Sequence, residues 1–321
     1  MADPSGAPAH VVAGVPRGVA LREVRRRDLG PYFALALATS GPLDEALGLR
    51  GRAERQFRSV SGPGLWLLLS VLRLLHRSPV RMLVATEDGA PVGTTVTILL
   101  GPWAYVAAVG VRDDRRQRGI AQALVRWAET FGHAAGKSWM VLEVDATNQP
   151  ARALYAKLGW GPGATVHWWE LPGEPAERPP STVRKARRSD RMLGHAASVR
   201  SLGIEFPPRY LHPCELIGRS AGGSRETWAA GPVGEPGLVV RSCAGVAGEP
   251  GFLLPAVTGG GTPDPEGTLL SCARAGLVQR GCRGIFVPVL GDAPQLVELL
   301  RGAGGTPKVA SEFWWKRIDA S

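Results

Sequence analysis

From Ile120 the apolar residues fall at Ala123, Leu124, Trp127, Ala128 and Phe131, the one-face spacing of an amphipathic helix. A shorter helix is predicted after Asn148. It carries Ala151, Leu154, Tyr155 and Leu158 on one side, with Asn148 as its cap and Gly159 as its stop. Strand patterns surround the first helix. "RMLVATEDGAPVGTTVTILL" holds two β-rich runs about an Asp88-Gly89 turn, "WAYVAAVGV" is a third strand, and "WMVLEV" lies between the two helices. Strands alternating with helices, without a dinucleotide-type glycine signature, predict a mixed α/β fold of the α+β kind. The most apolar window, "LWLLLSVLRLLHR" from Leu65, is interrupted by Arg73 and His76. Its dozen or so apolar positions fall short of the roughly 20 that span a bilayer, so it predicts a buried helix and no membrane partner.

The same patterns occur twice. "LREVRRRDLGPYFALA" from Leu21 resembles "VRKARRSDRMLGHAA" from Val183, with Asp28 matched to Asp190, each a short strand running through an aspartate into a helix. "GKSWMVLEVDATNQPARALYAKLGW" from Gly136 matches "GCRGIFVPVLGDAPQLVELLRGAGG" from Gly281, and "VHWWEL" before Pro172 is echoed by "EFWWKRI". Each tryptophan pair, Trp168/Trp169 and Trp314/Trp315, is expected to close its own unit. "PGEPAERPPS" between them has a linker's proline and charge content. The predicted organisation is a loose tail over 1–17, a first domain over 18–171, a linker over 172–182 and a second domain over 183–321.

Composition adds less. A net charge of +10 would attract anions, but the arginines are scattered and no basic run is interleaved with aromatics, so no nucleic-acid partner is expected. Four cysteines, Cys214, Cys243, Cys272 and Cys282, form no CxxC pair and read as reduced thiols of a cytoplasmic protein. His212 and Cys214 could supply two metal ligands, but nothing nearby supplies the others, and no metal is expected. "MADPSGAPAH" lacks the charged and apolar regions of a signal peptide.

The stretch "GVRDDRRQRGIAQALVRWAE" places Arg116, Gln117, Arg118 and Gly119 between a strand and the helix starting at Ile120. A helix start offers outward N–H groups and a favourable dipole, and glycine lets a phosphate approach the main chain. Arg116 and Arg118 could add charge-assisted contacts. Arg116-x-x-Gly119-x-Ala121 after "AAVGV" resembles the acyl-CoA pyrophosphate loop of the GNAT superfamily of N-acyltransferases. "LEVDATNQPARALYAKLGW" resembles the second half of that family's signature, in the right order and spacing. The resemblance covers residues 20 to 171 well and 183 to 318 in outline, so it implies two tandem GNAT-like mixed-sheet domains.

The resemblance implies acetyl-CoA as co-substrate. Its pyrophosphate would lie on the backbone of Arg116, Gln117, Arg118, Gly119, Ile120, Ala121 and Gln122, and its pantetheine arm along Val109 to Val111 and against Asn148. Tyr155 would protonate the departing thiolate. An amine acceptor with a pKa near about 10.4 must also lose a proton, and Glu143, twelve residues before Tyr155, resembles the base of ribosomal-protein N-terminal acetyltransferases. Without the resemblance, Tyr155 reads better as a core tyrosine of the apolar helix face, and Glu143 reads equally as a solvent-facing edge carboxylate; family members also use a bound water chain as base. Val141, Glu143 and Asp145 share one face of their strand, and the sequence leaves open which face meets substrate.

In the second copy Glu143, Asn148 and Tyr155 become Pro288, Ala293 and Leu300, and Asp264 and Glu266 stand where phosphate would bind. That half is expected to be a degenerate domain. The expected activity is acetyl transfer from acetyl-CoA to an amine by direct attack in a ternary complex, with a small-molecule amine as the first choice of acceptor. A protein N-terminus or lysine is the alternative within the enzyme class. A non-catalytic acyl-CoA-binding or scaffold protein is the alternative outside it.

Overall fold

In a computed structural model of the chain, the described residues are 14–39, 41–48, 80–173, 183–201, 225–230, 236–244, 248, 250–257, 268–291 and 293–318. The apolar window from Leu65, the tail before residue 14, linker residues 174–182, His212, Cys214, Asp264 and Glu266 lie outside them. The chain divides into two compact units, one drawn from Met1–Ser40, Val60–Leu142 and Trp315–Ser321, the other from Gly41–Ser59 and Glu143–Trp314.

The first unit holds β1 (Val19–Glu23), α1 (Leu29–Ala38), β2 (Val80–Glu87), β3 (Ala90–Leu100), β4 (Trp103–Val111), and α3 (Ile120–Ala134). It ends with the opening of β5 (Trp139–Asp145). β1 to β4 form an antiparallel meander and β5 runs parallel to β4. The turn between β2 and β3 follows from its residues: Asp88 and Gly89 both take positive φ, 50° and 81°, the conformation that matches hairpin twist. On α3 the buried face is Ile120, Ala123, Leu124, Val125, Ala128 and Gly132. Each larger aliphatic buried there contributes about 1.5–3 kcal/mol. Trp127 and Phe131 are half-buried instead and stack on each other with centroids 5.5 Å apart. Gly132 sets how closely α3 lies on β5, because a Cβ there would come within 2.6 Å of Met140 Sδ.

The second unit begins with α2 (Pro42–Ala46) and the end of β5, followed by α4 (Gln149–Lys157) and β6 (Gly161–Leu171). Then come β7 (Val183–Lys185), α5 (Arg188–Ser201), β8 (Arg225–Ala230), β9 (Leu238–Ala244) and β10 (Gly251–Val257). The unit closes with α6 (Thr268–Gln279), β11 (Ile285–Leu290), α7 (Pro294–Gly302) and β12 (Thr306–Arg317). β7 to β10 repeat the antiparallel meander, and β11 runs parallel to β10 as β5 does to β4. Its core gathers Trp169, Leu171, Leu253, Leu270, Val287 and Leu300.

The duplicated aspartates do the same work in both copies. Asp28 accepts two bonds from the Arg22 guanidinium and one from Arg25 N–H at 2.7 Å. Asp190 accepts two from Arg184, at 2.6 and 3.1 Å, and one from Arg187 N–H at 2.8 Å. Each aspartate therefore ties the first strand of its repeat to the following helix. The Asp190 side chain is wholly buried, so Asp190→Asn weakens the charge-assisted bonds from Arg184 and is expected to cost about 1–3 kcal/mol of stability. Denaturant unfolding of the full chain checks this, and an unmoved midpoint would refute the tie.

The last strand of each repeat does not close its own repeat, which corrects the reading of the tryptophan pairs. β6 pairs antiparallel with β11, setting Trp168 opposite Pro288 and Trp169 opposite Val287. β12 follows β5 instead: within the second unit Ala146 N–H donates to Ala310 O, and within the first Ile318 N–H donates to Ser138 O. The strand order of the second unit is β12-β6-β11-β10-β9-β8-β7. The two terminal strands carry similar aromatic patterns, so either could cover either β5-type edge on local sequence alone. The observed pairing is decided by contacts far apart in the chain.

Candidate active site

In the first unit the parallel ladder between β4 and β5 registers Trp103–Val106 against Trp139–Leu142 and goes no further. Beyond it β4 carries one extra residue relative to β3, since Thr94 and Val96 face Gly110 and Ala107. Ala108 takes a φ of 51° inside that bulge. Thr94 and Thr95 hydroxyls donate to Ala108 O at 3.1 Å and Ala107 O at 3.3 Å, which holds the unusual conformation. Val109 and Val111 thus lie on the stretch of β4 past the β5 ladder, where the strand's backbone can meet a ligand.

The loop that follows is exposed from Arg116 to Gly119. Gly119 is the N-cap of α3 at φ 83°, and Gln117 also takes a positive φ of 60°. No side chain caps the helix, and the first helical bond runs from Ala123 N–H to Gly119 O at 3.0 Å. The amides of Ile120, Ala121 and Gln122 therefore precede the helical ladder and have no acceptor among the described residues. This is what an anion cradle requires. The arginines are otherwise engaged. Arg116 pairs with Asp113 at 2.6 Å and Arg118 with Glu87 at 3.1 Å. Arg115 also bonds Glu87 and holds its carboxyl below the usual carboxylate range, and Arg112 does the same for Asp114. Much of the loop's positive charge is met by these carboxylates, which leaves the backbone as its distinctive chemistry.

In the second unit Asn148 caps α4, its Oδ1 accepting from Ala151 N–H at 3.2 Å, so its amide NH2 is the part left for a ligand. Tyr155 sits on α4 at 6% exposure, with ring centroids 6.0 Å from Trp160 and 6.3 Å from Trp314. Burial pushes its phenol up to about 12.

Glu143 is half-buried on β5, and its Oε1 accepts from Ser311 Oγ and, at 3.4 Å, from Trp168 Nε1. Burial raises its pKa; the bonds from Ser311 and Trp168 pull the other way, and the Asp44 charge on α2 adds to the rise. A carboxylate tuned upward is a better base near neutral pH. The sequence reading missed Ser311, Trp314 and the Arg152–Glu312 pair, whose Nε and Oε2 lie 2.9 Å apart. Ser311, Glu312 and Trp314 all lie on β12, more than 140 residues from the groups they touch on β5, β6 and α4. The aromatic echo at Trp314 was the only sequence signal for that strand.

In the second repeat Ala293 precedes α7 without a side-chain cap bond, and Leu300, in the place of Tyr155, is fully buried. Among the described residues no helix is long and apolar enough to cross a membrane, and no cluster of three metal-ligating side chains occurs.

Residues 52–160 match the model of the acetyltransferase (GNAT) family. The fold is similar to that of a GCN5-related N-acetyltransferase from Sphaerobacter thermophilus, at 17% identity and a TM-score of 0.61 over 96% of this chain and 98% of that one. It is also similar to a tandem GNAT protein from the clavulanic acid biosynthesis pathway, at 16% identity and a TM-score of 0.59, covering 94% of this chain and 99% of that one. No curated protein matches the chain. The bulged β4, the glycine start of α3 and the parallel β5 all lie within residues 52–160, the stretch that matches the acetyltransferase (GNAT) family model, and the chain shares its fold with acetyltransferases of that kind.

Proposed function

We propose that the protein is a cytoplasmic N-acetyltransferase that moves an acetyl group from acetyl-CoA to a small-molecule amine. The observation that carries the donor half of this reading is the uncapped, glycine-initiated start of α3 directly after the free stretch of β4. Acetyl-CoA supplies an acyl group already activated as a thioester. The backbone from Arg116 to Gln122 binds its pyrophosphate, with Gly119 allowing close approach. Val109, Val111 and the Asn148 amide hold the pantetheine arm. Glu143 takes a proton from the acceptor ammonium, the amine nitrogen bonds to the acyl carbon and gives its second proton to water, the C–S bond breaks, and Tyr155 gives its proton to the sulfur. Over the cycle solvent receives two protons, one through Glu143 and one from the new amide nitrogen, and returns one to Tyr155, so one proton is released per acetyl transferred.

The duplicated segments 18–171 and 183–321 are two GNAT-like domains, joined by 172–182, of which only the first is catalytic. Pro288, Ala293 and Leu300 support this, because none can act as base, polar cap or acid.

Thiol release from acetyl-CoA, measured with spermidine, glucosamine, lysine and an alanine-initiated peptide, tests the whole reading. Turnover is expected with a small amine, at a stoichiometry of one CoA per chain. Turnover with the peptide alone would move the acceptor to a protein N-terminus. Binding of CoA without turnover on any amine would make the chain a scaffold, and two CoA per chain would refute the degenerate second repeat.

A further inference from the structure

Glu143 can serve as a base only if one of its oxygens is held and the other is left for the acceptor. Its Oε1 accepts two bonds, one from Ser311 Oγ and one from Trp168 Nε1, and no described residue donates to Oε2. Trp168 Nε1 also donates to Ser311 Oγ at 3.1 Å, which fixes the direction of the chain of bonds. With its lone pair accepting from the indole, the Ser311 hydroxyl proton points to the carboxylate. Ser311 is fully buried and Trp168 is 1% exposed, so neither donor exchanges freely with water. Such a pair of fixed donors orients a carboxylate as a second layer of bonds orients a metal ligand.

The donors come from two different terminal strands. Trp168 lies on β6 and Ser311 on β12, one from each repeat. Ser311 follows Ala310, whose carbonyl accepts from Ala146 N–H, so β12 delivers the hydroxyl to the β5 residue through backbone pairing. The same strand places Glu312 against Arg152 of α4 and Trp314 against Tyr155.

We infer that Ser311, supported by Trp168, is the positioning residue for the Glu143 base, and that the second repeat serves the reaction through β12 rather than through a site of its own. This rests on the proposed role of Glu143. The groups facing its carboxylate are the Ser311 hydroxyl from β12, the Trp168 indole from β6 and the Asp44 carboxylate from α2. Donors to Oε1 favour the charged form, and Asp44 disfavours it. Removing Ser311 therefore raises the proton affinity of Glu143.

The test uses the full-length protein. The Glu143 carboxyl is titrated by carbon-13 NMR, with Glu143→Gln giving the assignment. The acid limb of thiol release from acetyl-CoA is measured beside it, using the fastest amine of the panel above. Ser311→Ala is expected to raise the proton affinity of Glu143 about tenfold and to move the acid limb to higher pH by about one unit. Acetyl-CoA affinity and thermal unfolding should stay near wild type. Ser311→Thr, which keeps a hydroxyl donor, should restore the limb. An unmoved titration in Ser311→Ala, with Glu143→Gln inactive, would overturn the Ser311 role alone. Undiminished thiol release in Glu143→Gln would overturn the base assignment beneath it, and the Ser311 role with it.

Discussion

Tyr155→Phe is expected to lower kcat at least about 100-fold while leaving the Kd for acetyl-CoA within about twofold. The substitution deletes one oxygen and keeps the ring, so the contacts with Trp160 and Trp314 survive and packing changes little. What disappears is the proton that the departing thiolate needs. Burial raises the phenol to about 12, so it stays protonated through the working range of pH. The same desolvation disfavours a bare thiolate, which keeps the transfer worthwhile despite the weak acidity of the phenol. It follows that no alkaline fall in kcat below about pH 11 should trace to Tyr155. Stopped-flow thiol release and calorimetric titration with acetyl-CoA separate the two constants, and an equal loss in both would assign Tyr155 to packing.

Gly119→Glu should weaken acetyl-CoA binding by more than about 100-fold. Two effects combine. The position sits at φ 83°, where any Cβ costs roughly 1–2 kcal/mol, and the new carboxylate stands at the helix start where a phosphate belongs. Gly119→Ala separates them, because a Cβ there meets only Pro16 Cγ at 3.7 Å and brings strain without charge. Its loss of affinity should be several-fold. Arg116→Ala and Arg118→Ala should also cost little, as both side chains are committed to carboxylates. Unaltered binding in Gly119→Glu would remove the loop from the donor site.

The helices and meander strands were legible because their signals are local. The period of α3 follows from Ile120 onward, the Asp88-Gly89 hairpin follows from its turn residues, and Asp28 with Asp190 reported a true structural repeat. The loop's glycine was readable for the same reason. Its arginines were not, since Glu87 lies more than two dozen residues away and nothing in the loop announces it. The Ala108 bulge was also hidden: alanine and valine give no warning of an extra residue that only the register with β3 defines. Ser311 was the least legible of all. A small polar residue in a strand says nothing about its neighbour until the pairing of β12 with β5 is known, and the aromatic echo pointed that strand to the wrong repeat.

The exchange of terminal strands also sets a schedule for synthesis. β5 is complete by Asp145, but the strand that lies along it spans Thr306–Arg317 at the far end of the chain. At a ribosomal pace of about 5–20 residues per second, the β5 edge waits many seconds for its partner. An unpaired strand edge is a template for foreign strands, so the nascent first repeat passes through a period of exposure that a self-contained domain would avoid. Truncation before Thr306 would make that interval permanent, and the nascent protein is the form on which a chaperone would have most to do.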